Sequence, residues 1–262
     1  MAGNITLLTG RGDFGYTYSM EQWRDQGFVL SVRPHGEGGA VVSLLTENHG
    51  RHAGYLHGAQ STKKRAMLEP GTRVQIDWKG RVSDNLGTVA LEQEAGLPHG
   101  VFNDPLKLSA LLSACSLCDA ALPEREGHPG LYRGFQTLIE MMSGEVWAAA
   151  YVYWEIALLK ELGFGLDLTK CAGGGDPQTL AYVSPKSGCA VSYAAGQPYK
   201  ERLLELPSFL KPNGGPLDDE EIAKGLAMTG HFLEHWVFAH HSKGVPEARI
   251  RFGERQKKAA NT

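Results

Sequence analysis

Apolar and polar positions alternate over five short stretches in the first part of the chain, residues 28–32, 40–45, 51–57, 73–78 and 87–91. In the fourth, Val74, Ile76 and Trp78 fall on one side of an extended backbone and Arg73, Gln75 and Asp77 on the other, the pattern of a half-buried strand. Turn-forming residues separate the stretches, around Pro34 and Gly36, at Asn48 to Gly50, at Pro70 and Gly71, and at Ser83, Asp84 and Asn85. Five short strands at this spacing predict a small antiparallel barrel or sandwich, for which a five-stranded OB-type barrel is the commonest small solution.

Beyond these strands the period changes from two to three and four. Asn103, Asp104 and Pro105 supply a helix cap followed by proline at the first helical position. Leu108, Leu111, Cys115, Cys118 and Leu122 then form one apolar stripe. A second helix is expected over 130–142, with Leu131, Phe135, Leu138 and Met142 on one face, and a third over 145–162. The third is apolar on most sides, which suits the centre of a bundle, and Gly163 ends it. Residues 166–198 read as a Gly-rich, loop-like insertion with a short hairpin around 181–183 and 190–192. Residues 199–206 read as a short helix closed by Pro207. A last helix runs from Asp218 to about His241, and its acidic first turn suits the helix dipole.

Strands followed by helices predict an α+β chain. The expected divisions are a five-stranded OB-fold nucleic-acid-binding domain over 20–97, a mainly helical domain over 98–242, and a basic tail over 243–262. Residues 1–19, with Arg11, Gly12 and Asp13, have no sustained period and are expected to lack structure, and Met20 is a candidate translation start. Whether the tail folds back is not fixed by its sequence.

With 262 residues, 42% hydrophobic and 21% charged, the chain has an ordinary globular composition. No stretch approaches the ~20 consecutive apolar residues of a membrane helix, and the first residues lack a secretory pattern. Four cysteines without a regular framework fit a reducing compartment. These features together predict a cytoplasmic protein. The net charge of −3 conceals an asymmetry: residues 33–82 hold eight Lys/Arg against four Asp/Glu, and 243–258 six against two, while 83–242 hold ten against twenty. A basic strand region beside an acidic body points to a polyanion binder with one dedicated face.

The candidate DNA-binding side chains are therefore Arg33, Arg51, Lys63, Lys64, Arg65, Arg73, Lys79 and Arg81, joined by His35, His52 and His57. Tyr55 and Trp78 are further stacking candidates, although Trp78 alternates with Val74 and Ile76 and belongs with the core. Charge plus aromatic stacking is the chemistry by which such barrels cradle single strands. A competing enzyme-class reading is a zinc-dependent hydrolase built on His231, Glu234 and His235, which match the His-x-x-Glu-His pattern. It needs a third ligand, and downstream only Glu247 and Glu254 are carboxylates. Cys115 and Cys118 lie on the apolar stripe, where cysteine packs as a small hydrophobe. Cys171 and Cys189 are too few to fill a tetrahedral site, so no metal or other cofactor is expected. Gly36 to Gly39 lacks the Lys-Ser/Thr of a phosphate loop and reads as a turn.

The stretches 23–30 (Trp-Arg-Asp-Gln-Gly-Phe-Val-Leu), 33–37 (Arg-Pro-His-Gly-Glu) and 47–54 (Glu-Asn-His-Gly-Arg-His-Ala-Gly) resemble the barrel domain of the RecO recombination mediators. Residues 182–188 and 199–210, with Arg202, Leu203, Leu204, Leu206, Pro207, Phe209 and Leu210, resemble later passages of the same family. The resemblance extends from about Met20 to Phe252. It implies an N-terminal OB-fold, a helical domain with a zinc-finger-like insertion, and a non-enzymatic, nucleoid-associated role in DNA repair and homologous recombination. Family members bind ssDNA and dsDNA, anneal complementary strands, and join RecR to help RecA replace single-strand-binding protein (SSB). They also bind the acidic, Phe-ending tail of SSB, for which Arg133, Arg202, Leu203, Leu206 and Phe209 are the candidates here. Some members carry four zinc-binding cysteines in the insertion. With only Cys171 and Cys189 in that region, a full ligand set is missing.

Overall fold

In the computed structural model, residues 20–81 and 86–261 are described, the side chain of Lys63 excepted. The 1–19 extension and the turn at Ser83, Asp84 and Asn85 lie outside the described residues. The chain divides into two compact units, 1–97 with 118–132, and 98–117 with 133–262.

In the first unit the five alternating stretches are strands: β1 (Met20–His35), β2 (Gly39–Thr46), β3 (Arg51–Leu56), β4 (Arg73–Arg81) and β5 (Gly87–Ala95). β1 is long enough to serve two neighbours. Its first part pairs with β4, from Met20 opposite Arg81 to Phe28 opposite Arg73, and its second part pairs with β2 up to His35 opposite Gly39. A register shift between Val29 and Ser31 bends the strand where it passes from one partner to the other. β3 continues from β2 antiparallel and meets β5 in a short parallel pairing, so the order is β1-β2-β3-β5-β4 with β4 back against β1. Between β3 and β4 stand a short helix, α1 (Thr62–Arg65), and a 3₁₀ turn whose Met67 and Leu68 are buried.

The period-two faces decide what lies inside. Val42, Leu44, Leu56, Val74, Ile76, Trp78 and Val89 are buried together. Trp23 and Trp78 stack with ring centroids 5.5 Å apart, and Trp78 Nε1 donates to the Ala53 carbonyl at 3.1 Å. Such an aromatic pair contributes ~1 kcal/mol beyond the area it buries. Residues 118–132 return to this sheet, where Asp119 Oδ2 accepts from Ser31 Oγ at 2.8 Å and Oδ1 from Ser43 Oγ at 2.6 Å. Gly50, at φ 67°, is the point of closest approach, since a Cβ there would run into the Glu126 carbonyl. The compact unit that holds the strands also takes in 118–132, which is bonded to them.

The remaining helices are α2 (Pro105–Ala121), α3 (Pro129–Met141), α4 (Trp147–Glu161), α5 (Tyr193–Gly196), α6 (Asp219–Phe232) and α7 (Glu247–Ala259). The caps fall where the sequence puts them. Asp104 Oδ1 accepts from the Leu106 and Lys107 amides at 2.9 and 3.1 Å, and Asp218 Oδ1 from the Glu221 amide at 2.9 Å. In the second unit a small sheet orders β7 (Ala190–Ser192), β6 (Leu180–Val183) and β8 (Leu204–Glu205). The hairpin over 180–192 is the expected one.

Two expectations for the second unit change, and one open question is answered. Residues 199–206 are not a helix throughout: a 3₁₀ stretch, Gln197–Arg202, gives way to β8, because Leu204 and Glu205 pair with Val183 and Tyr182. The last long helix stops at Phe232 and continues as a π turn, Leu233–Val237. The wider turn, in which the Phe238 amide bonds to the Leu233 carbonyl at 2.8 Å, buries Phe238 where a regular helix would have carried Val237 inward. The basic tail is helical over α7 and buries Arg249, Phe252 and Gln256.

Candidate nucleic-acid interface

The strand register places three side chains from separate strands in one row. Arg33 on β1 stands opposite Val41, Val41 opposite Tyr55, Tyr55 opposite Thr88, and Thr88 opposite Lys79. Residues paired in register share a face, and those flanking this row in β2, β3, β4 and β5 are buried, so the row faces outward. At a strand spacing of about 4.8 Å, Arg33 and Lys79 lie roughly 10 Å to either side of Tyr55. His35 meets the Tyr55 ring edge-on with centroids 6.0 Å apart, and Tyr55 meets His57 at 4.7 Å. Lys64 Nζ donates to the His57 carbonyl at 2.6 Å, which fixes α1 beside the end of β3. A groove of about 570 Å³ runs here, lined by Gln22, His57, Lys64, Lys79 and Thr88 among others.

The predicted residues therefore separate into two groups. Arg33, His35, His57, Lys64 and Lys79 gather on the outer face, with Arg65 and Arg81 exposed on α1 and at the end of β4. The Lys63 side chain lies outside the described residues.

Arg51, His52 and Arg73 are engaged inside the strand unit instead. Arg51 Nε donates to the Leu122 carbonyl at 2.8 Å and its Nη1 reaches Glu124 at 3.2 Å, so the guanidinium holds the returning segment. Arg73 is drawn into a pair with Glu94 at 3.3 Å and donates to the Gln26 side chain. His52 points into the sheet, edge-on to Trp23 and Trp78 at 4.9 Å each, and is 4% exposed. Burial, assisted by the nearby positive Arg125, lowers its pKa to about 4 and keeps it neutral.

A buried carboxylate that sequence reasoning passed over organises the β2–β3 turn. Asp25 accepts from the Asn48 amide at 2.9 Å, the Asn48 side chain at 3.0 Å, the Gln26 amide at 2.8 Å and His49 Nδ1 at 2.8 Å. Burial alone would raise its pKa, but these donors outweigh burial and hold it below the ordinary value. His49 in turn lies flat on Trp23, centroids 4.0 Å apart. The alternation of β1 does signal this, because Asp25 shares a face with Trp23.

In the second unit, of the five residues expected to hold the SSB tail, Phe209 alone lines the apolar cavity there. Phe209 lines an apolar cavity of about 570 Å³ with Leu138, Met141, Val146, Tyr153 and Leu217, and its carbonyl accepts from Tyr153 Oη at 2.9 Å. Arg133 is exposed on α3 beside Gly134, another lining residue. Arg202 is exposed on its 3₁₀ turn, Leu203 is half-buried, and Leu206 is buried and cannot take part in a surface contact.

His231 and His235 stack at 4.2 Å, and His235 Nδ1 is occupied by the His231 carbonyl at 2.9 Å. No group of three His, Cys, Asp or Glu residues suited to a metal occurs among the described residues, so the pair lacks a third ligand there. Cys115 and Cys118 are buried in the stripe. Burial pushes the Cys171 thiol up, yet hydrogen bonds from the Ser192 hydroxyl and amide, the amide at 3.1 Å, and from the Gly175 and Gly173 amides bring it down to about 7. No helix is long and apolar enough to cross a membrane among the described residues.

Two family descriptions match this chain, Recombination protein O N terminal over residues 20–93 and Recombination protein O C terminal over 103–243. The chain belongs to the RecO family. It is 53% identical over 245 residues to a DNA repair protein RecO of Rhodospirillum centenum, covering 92% of this chain and 97% of that protein. A second relative, the DNA repair protein RecO of Phenylobacterium zucineum, is 47% identical over 230 residues, 87% of this chain and 95% of that one. The RecO N-terminal match spans the whole outer row from Arg33 to Thr88. The RecO C-terminal match holds the apolar cavity and ends before α7.

Proposed function

We propose that this RecO-family chain is a non-catalytic recombination mediator that binds ssDNA and dsDNA through the outer row of its five-stranded sheet. The observation that carries this reading is the register of Arg33, Tyr55 and Lys79 across four strand pairings, next to the Lys64–His57 groove. We read the sheet as an OB-type barrel. In such barrels the face of strands 2 and 3 and the loops after strands 1 and 4 take oligonucleotides. Tyr55 lies on that face, His35 stands at the foot of the first loop, and Lys79 and Arg81 stand at the foot of the second.

The chemistry is sequence-independent. Arg33, Lys64 and Lys79 neutralise phosphates, and Tyr55, His35 and His57 offer ring surfaces to bases. Holding two strands near one surface of neutralised charge speeds their annealing without any bond being made in the substrate. Residues 133–242, with eight Lys/Arg against thirteen Asp/Glu, disfavour DNA. With RecR as partner, the same holding action helps RecA replace SSB. The apolar cavity at Phe209, with Arg133 at hand for a carboxylate, is the proposed seat of the Phe-ending SSB tail.

The test is fluorescence anisotropy of a labelled oligonucleotide, together with an annealing assay with and without SSB on the strands. Binding that persists undiminished in a Lys64→Glu/Lys79→Glu variant would remove the outer row as the DNA site.

A further inference from the structure

The antiparallel pair α6 and α7 encloses a second cavity, a trough of about 1210 Å³. Gln256 Nε2 donates to Asp219 Oδ1 at 2.9 Å and ties the end of α7 to the start of α6. The α6 wall presents Ala223, Ala227 and Gly230 on successive turns, and the α7 wall presents Ile250, Gly253 and Ala260. Ile250 is 49% exposed although it belongs to this apolar wall.

Lysines mark both ends. Lys224 and Lys257 stand at one, Lys243 at the other. Lys224 is matched by Glu220 at 2.8 Å and Glu221 at 2.7 Å. Lys243 and Lys257 have no carboxylate partner among the described residues. Lys257 lies seven residues beyond Ile250, ~10 Å along the helix axis.

We propose that this trough is a docking site for an acidic amphipathic helix of a partner protein. Small residues on successive turns of both walls admit a third helix at close backbone approach, the helix-in-groove mode of recognition. The uncompensated Lys243 and Lys257 select carboxylates at the two ends of that helix, where complementarity fixes its register. Nucleic acid fits poorly, because Phe238, Val245, Ala227 and Ile250 make the lining mainly apolar. The site is separate from the Phe209 cavity and from the outer strand face.

The test is anisotropy with a labelled synthetic helix that carries Ala and Leu on one face and Glu at both ends, compared with a counterpart carrying Lys at those ends. The full chain is expected to bind the Glu helix at least tenfold more tightly than the Lys helix. Lys243→Glu/Lys257→Glu, both at the surface, should reverse that preference, and Ala227→Arg should weaken the Glu helix at least tenfold with an unchanged far-UV spectrum. Phe209→Ala, which alters the other cavity, should leave this binding intact. Lack of charge preference, insensitivity to Ala227→Arg, displacement of the helix by an oligonucleotide, or sedimentation showing a second copy seated on the trough would each overturn the proposal.

Discussion

Arg249 Nη2 donates to Glu155 Oε2 at 2.9 Å inside the helical unit, with Arg249 5% exposed and Glu155 fully buried. The same guanidinium donates to the Leu226 carbonyl at 2.8 Å, and Thr229 Oγ1 also donates to Glu155, so α4, α6 and α7 meet at one ion pair. A basic segment that composition alone marks as a tail is pinned by this contact. Removing one partner leaves the other charge buried without a counter-ion, which costs about 3–5 kcal/mol. Arg249→Met should lose that much stability in urea unfolding. Glu155→Leu/Arg249→Leu, which removes both charges, should recover most of it. Equal losses in the single and double variants would show that packing, not charge, holds α7.

The DNA reading predicts a specific salt dependence. If Arg33, Lys64 and Lys79 each neutralise one phosphate of a single strand, the slope of log K against log salt is about −2, near −0.7 per contact. Lys79→Ala should weaken binding and flatten that slope by about 0.7. Arg51→Ala should leave the slope alone and lower stability instead, since Arg51 is spent on Leu122 and Glu124. Anisotropy titrations at several salt concentrations separate these outcomes.

Much of this division is legible in the strand alternation. In β3, Arg51 and Tyr55 share one face and His52 and Leu56 the other, so the burial of His52 follows from period two once the strand is accepted. In β4 the same rule sends Trp78 inward and Lys79 outward. What the pattern could not show is which outward cations already have partners. Glu124 is 73 residues from Arg51, and Glu155 is 94 from Arg249. Pairings of that span are properties of the tertiary fold, with no local spacing to announce them. The π turn before Phe238 is likewise set by which apolar side chain the core accepts.

Acid should weaken the strand unit through His52. Its pKa is about 4 when folded against 6.5 for a free imidazole. Between those values the unfolded chain binds more protons, so the contribution is fully present above the higher pKa and is lost as pH falls toward the lower. The loss between pH 7 and 5 is about 2 kcal/mol from this group. Asp25, whose pKa is depressed below 3.8, loses its share only at still lower pH. Urea unfolding at the two pH values should therefore show a decline smaller by about 2 kcal/mol in His52→Phe than in the parent chain.

Two glycines give opposite predictions for the same substitution. At Gly87, on β5, a Cβ would stand 2.5 Å from Trp78 Cε2 and 2.6 Å from the Lys79 carbonyl oxygen. The tryptophan is buried and stacked, and the carbonyl is main chain, so neither yields without disturbing the β4–β5 pairing. Overpacking of this kind costs about 1–3 kcal/mol. At Gly134, on α3, a Cβ would meet Trp154 Cδ1 at 3.7 Å, an ordinary contact. Helix propensity then governs, and alanine gains up to about 1 kcal/mol over glycine. Gly87→Ala should lower the urea midpoint and Gly134→Ala should raise it. A neutral Gly87→Ala would mean that the strand face around Trp78 is looser than the stacking of Trp23 on Trp78, with His52 edge-on to both, requires.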